Sequence, residues 1–203
     1  MTLSDYDAYH SVIGCLMKKP LLLLEYGDIQ PIDFDYKPAR VCFNAIKKMY
    51  QAGATALTVL EIDQEILRVG GASELEYKNG NGLEFLKESY QIGQEATFEI
   101  YYNRLNKCSL LRRWQKAHYD ISDFYIDSKD VTDPRLEVEI IKRFDSASLE
   151  EILNTVEKKY SEIRNDVLNG GKKHGDPAEG VVKLIDDLKK SPSIGAPLSG
   201  DIF

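Results

Sequence analysis

Gly171-Lys172-Lys173 is the part of this sequence that comes nearest to a phosphate-binding loop. A working loop of that kind reads G-x-x-x-x-G-K-[ST] between a strand and a helix, because its backbone amides and its hydroxyl both hold the nucleotide and its metal. Here no serine or threonine follows the lysine, and a helical pattern precedes it. Nucleotide hydrolysis by this chain is therefore not expected. The three histidines, His10, His118 and His174, have no histidine or cysteine three or four residues away. Metal ligation needs several such groups converging, so no metal site is expected. Cys15, Cys42 and Cys108 are odd in number, form no CxxC, and sit among apolar neighbours as small buried hydrophobes would. No catalytic residue and no cofactor-binding residue is assigned.

One segment has the chemistry to bind a partner. Leu111-Arg112-Arg113-Trp114-Gln-Lys116 sets basic residues beside the only tryptophan, an arrangement that can stack a base or serve as a protein hot spot. Against the first use stands a net charge of −7, with 33 acidic against 26 basic residues. Nucleic-acid-binding domains carry a basic surplus or stripe. The plain reading is that Trp114 packs inside a helical arm and the arginines pair with nearby acids. Protein partners are favoured over DNA.

The elements that must position these residues read as helices throughout. Ser4 can cap a first helix, in which Tyr9, Val12, Ile13, Leu16 and Met17 recur at three- and four-residue steps until Pro20. Residues 21–26 allow a short second helix. A third runs from about Pro38 to Gln51 and stops at Gly53. Thr58-Val-Leu-Glu61 is a capping box for a fourth, which Gly70-Gly71 ends. Asn79 to Gly82 reads as a loop, and Leu83 to Ile92 as a fifth helix. The expected class is all-α, with a compact helical globule over residues 1–96.

From Thr97 two longer patterns follow. One helix is expected over about 97–125, with Leu111 and Trp114 on its apolar side. A second starts at the capping box Ser148-Leu-Glu-Glu151 and carries Val156, Tyr160, Ile163 and Val167. Asp133-Pro134 opens a minor helix between them, to about Phe144. Residues 97–169 thus read as a projecting αα-hairpin with little core of its own, an arm that self-association would bury. Residues 170–203 read as a linker holding one helix, 176–190, with Val182, Leu184, Ile185 and Leu188 on its apolar face. A tethered helix of that length is marginal alone and is expected to dock on a partner or neighbouring subunit. The final stretch, Ile194-Gly-Ala-Pro-Leu-Ser-Gly-Asp-Ile-Phe203, reads as the approach to a further domain. No apolar run nears the ~20 residues of a bilayer span and no signal peptide opens the chain, so a cytoplasmic location is the default.

The order of motifs resembles the N-terminal region of the DnaB-like replicative DNA helicases. The similarity begins at Tyr9-His-Ser-Val-Ile-Gly-Cys-Leu-Met. It continues through Asp33-Phe34, Phe43-Asn-Ala-Ile46, Gly53, Thr58-Val59, Gly70-Gly71 and Glu84-Phe-Leu-Lys. Tyr101, Leu111-Arg112-Arg113 and Asn154-Thr-Val-Glu157 complete it, with Gly195 to Phe203 resembling the approach to a RecA-like motor. There are departures. Ala39 stands where a histidine is usual, no aspartate precedes Thr58, Asn154 replaces a common aspartate, and the link over about 126–147 is long. These point to a divergent member from a phage or mobile element.

The resemblance implies an architectural role. The family's N-terminal domains pair through their hairpins into a trimer-of-dimers collar that receives primase and the helicase loader. ATP and magnesium, and most DNA contact, belong to the motor domain. The candidate self-association and partner residues are then Leu111, Arg112, Arg113, Trp114, Tyr160, Ile163, Val182, Leu184, Ile185 and Leu188. The alternative is a free-standing helical adaptor, either a loader component or a helicase inhibitor without a motor.

Overall fold

Helix formation begins one residue later than Ser4 suggests. Asp5 is the N-cap of α1 (Tyr6–Lys18), its carboxylate accepting the Ala8 amide at 2.9 Å, while the Ser4 hydroxyl donates to Asp35. The computed structural model describes residues 3–127, 131 and 133–168. Among them are nine α-helices and no strand, so the all-α expectation holds.

Helix α1 buries seven apolar side chains, from Ala8 and Tyr9 to Leu16 and Met17, and forms the spine of the first core. The short α2 (Leu22–Glu25) and a 3₁₀ turn at Pro31–Asp33 lead to α3 (Lys37–Gln51). Helix α3 lays Val41, Cys42, Phe43, Ala45 and Ile46 onto that core. Gly53 follows its C-cap with φ 99°, as the stop signal requires. Helix α4 (Val59–Val69) starts at the expected capping box, with the Glu61 amide bonded to Thr58 Oγ1 at 3.3 Å and the Thr58 amide to Glu61 Oε2 at 2.8 Å. Helix α4 ends at Val69 with Gly70 as its C-cap, where the sequence places the stop, but a helix the pattern did not announce, α5 (Gly71–Asn79), starts at Gly71 and fills the stretch up to the expected loop.

Helix α6 (Gly82–Ile92) then crosses α1 at close range. A Cβ on Gly14 would lie 1.8 Å from the Ser89 carbonyl oxygen. Only a glycine lets these two backbones meet.

Helix α7 (Phe98–Lys116) is shorter than the 97–125 expected. Its end is a Schellman motif. The Tyr119 amide reaches back to the Trp114 carbonyl and the His118 amide to that of Gln115, both at 3.0 Å, with His118 at φ 61°. The chain therefore turns at His118, and Ile121 and Phe124 fold back into a second core. Helix α8 (Pro134–Ser146) has Asp133 at its N-cap and Pro134 at N1, as expected. Helix α9 (Leu149–Leu168) starts at the Ser148 capping box, the Glu151 amide bonding Ser148 Oγ at 3.1 Å.

The second core joins Leu3, Cys108, Leu111, Ile121, Phe124, Phe144 and Ile152, with Trp114 packed against it. The expectation that this part of the chain lacks a core of its own is corrected here. Helix α8 and the turn after α7 supply large apolar side chains, each worth about 1.5–3 kcal/mol when fully buried. The chain divides into two compact units, Met1–Glu157 and Lys158–Phe203. Among the described residues no helix is long and apolar enough to cross a membrane.

Candidate functional site

The basic segment at the end of α7 meets the 3₁₀ turn at Pro31–Asp33. Leu111 is fully buried in the second core, and Trp114 is half-buried against it. Arg112 spreads its guanidinium over three oxygens. Nη1 donates to the Leu3 carbonyl at 2.5 Å and to Tyr9 Oη at 3.2 Å, and Nη2 to the Asp33 carbonyl at 2.5 Å. A planar fork of five donors suits such a three-way tie, where a lysine would hold one point. Arg113 donates to Asp33 Oδ1 at 2.6 Å, with about half its side chain exposed.

Asp33 is the hub of this cluster, only 4% exposed. Its Oδ1 also accepts the buried Ser109 hydroxyl at 2.6 Å, and its Oδ2 accepts the Gln30 amide at 2.7 Å. Buried carboxylates persist where donors satisfy them in this way. Tyr9 extends the network by donating to Asp35, whose other oxygen takes Ser4. Burial first, and then the bond to Asp35, push the Tyr9 phenol well up, so it stays a donor. The cluster pairs no nucleophile with a base. Its work is to fasten the chain's first residues and the 3₁₀ turn to α7. The donors of Arg112 point inward, which leaves a phosphate little to bind.

The sequence brought Arg112, Arg113 and Trp114 to notice but not Asp33 as the anchor of the two arginines. The sole local signal was Asp33-Phe34 as a motif, since Ser109 and Arg113 lie 76 and 80 residues away.

Tyr160 and Ile163 lie on α9, 56% and 63% exposed, with Val167 and Leu168 at 75% and 69%. Val182, Leu184, Ile185 and Leu188 lie outside the described residues. His10 packs against Phe85 in a tilted arrangement, ring centroids 4.5 Å apart, and has Nδ1 3.0 Å from Ser89 Oγ. Among the described residues no group of three or more His, Cys, Asp or Glu could hold a metal ion. All three cysteines are free and buried. Burial pushes the Cys15 thiol up to about 11 and Cys108 to about 12, and Cys42 rises well above its ordinary value.

The chain matches no protein-family model. It is similar to the SPbeta prophage-derived uncharacterized protein YorI of Bacillus subtilis (strain 168), with 29% identity over 207 residues. That match takes in 99% of this chain and 40% of YorI, so the chain spans about two-fifths of the relative's length.

Proposed function

We propose that this chain is the collar region of a larger DnaB-like replicative helicase, serving self-association and the docking of primase and loader. The observation that carries the reading is the apolar series on α9. Tyr160, Ile163 and Val167 follow one another at helical steps of three and four, each more than half exposed. A helix face of that kind is suited to burial against another helix. The order of motifs along the chain supports the same reading. So does similarity to a prophage protein more than twice as long, which has room for a motor domain outside the matched stretch. ATP and magnesium would then serve that motor, and the region described here would act as scaffold.

Sedimentation velocity over a range of concentrations tests the proposal. Dimers or hexamers are expected, and Tyr160→Asp with Ile163→Asp should return monomers with an unchanged helical circular dichroism spectrum. A chain that stays monomeric at high concentration overturns it.

A further inference from the structure

A cleft of about 790 Å³ opens among α1, α4, α5 and the start of α6, sharing no residue with the Asp33 cluster. Pockets that hold small ligands or side chains run from about 300 to 1,000 Å³. The cleft exists because the α5–α6 turn is tight. Asn81 adopts φ 54°, and a Cβ on Gly82 would lie 2.0 Å from the Tyr77 ring. That turn brings the Gly82 backbone against the Tyr77 ring at the floor of the cleft.

One wall is a row of aromatic rings. Tyr6 meets Tyr36 edge to face at 5.3 Å, Tyr36 meets Phe85 at 5.4 Å, and Phe85 meets His10 at 4.5 Å. Tyr6 is 53% exposed, so its ring is open to a visitor. The charged part of the remaining lining is mostly acidic: Asp63, Glu84 and Glu88 against the ammonium of Lys78. Glu84 is bridged to Lys87 at 3.2 Å, and Glu88 lies 3.6 Å from His10 Nε2. Glu74 already holds the Lys78 ammonium at 2.6 Å. Burial keeps His10 below its ordinary value, so it adds no positive charge at neutral pH. The Asp63 carboxylate is fixed by the Tyr77 hydroxyl, which donates to Oδ1 at 2.9 Å and leaves Oδ2 for another donor.

We propose that this cleft receives an arginine side chain from a basic segment of a protein partner, its guanidinium stacked on the tyrosines and bonded to the carboxylates. Aromatic faces attract cations, and the planar guanidinium both stacks on rings and bonds carboxylates side-on, which a lysine does less well. Two other ligand classes fit poorly. A phosphate group would meet three carboxylates, and a metal ion lacks a ligand set among the described residues. The inference does not rest on the helicase reading.

The test is an NMR titration of the ¹⁵N-labelled chain with a twelve-residue peptide bearing one central arginine. The same peptide with citrulline at that position is the control. Shifts confined to the amides around Tyr6, Asp63, Tyr77 and Glu88 are expected with arginine and not with citrulline. Asp63→Asn keeps an acceptor for Tyr77, and Tyr6→Ala alters an exposed ring. Both should weaken binding, Tyr6→Ala by roughly 3- to 30-fold, the range that a cation–π contact is worth. Equal binding of the citrulline peptide would show an apolar groove and overturn the proposal. Shifts spread over the acidic surface and unchanged in Asp63→Asn would do the same, as would no binding at millimolar peptide.

Discussion

Three donors converge on the Asp33 side chain: the Ser109 hydroxyl, the Arg113 guanidinium and the Gln30 amide. Asp33→Asn keeps the shape but replaces one acceptor oxygen with an amide that donates. One of those donors is then left unanswered in a site almost closed to water, and Arg113 loses its counter-charge. The expected cost is about 2–3 kcal/mol, toward the upper end for a buried hydrogen bond to a charged group. Urea unfolding of the variant would show it as a lower midpoint, and an unmoved midpoint would remove Asp33 from its role as anchor. The sequence pointed to arginines paired with acids, but not to Asp33 as the acid. Its partners are brought together by the packing of α7 on the 3₁₀ turn, and a pattern with a period of three or four residues carries no record of a meeting 80 residues away.

At the scale of elements, the helix starts read most closely were those with both an apolar period and a cap with a side-chain mechanism. Thr58, Asp133 and Ser148 all cap where their types and spacing indicate. The two larger misreadings have one origin each. Helix α5 has a weak apolar stripe, with Tyr77 as its sole buried side chain, and opens on a glycine pair that more often closes a helix. Helix α7 stops at a left-handed residue that is histidine where glycine is usual, so the stop was invisible. That substitution makes a prediction. His118→Gly removes the Cβ strain at φ 61°, and should stabilise the protein by about 0.5–1 kcal/mol despite the freer unfolded chain. At about 2–4 °C per kcal/mol for a chain of this size, melting should rise by about 1–4 °C. A lower melting temperature would mean that the imidazole makes a contact worth more than the strain.

For the whole molecule, α7 is the shared member. Phe98 and Leu105 belong to the first core, Cys108 and Leu111 to the second. Among the described residues the smaller core has seven buried side chains against twenty-four, and smaller packed units open at lower free energy than larger ones. The buried thiols turn this into something that can be timed. Cys15 and Cys42 sit in the larger core and Cys108 in the smaller, and only an exposed thiolate reacts at speed. Under native conditions iodoacetamide should therefore alkylate Cys108 first, with Cys15 and Cys42 following later and at one common rate, as read by peptide mass mapping. Three identical rates would instead mean that the two cores open in a single event. Either way the chain carries its own stopwatch for unfolding, with one hand in each core and no label to be added.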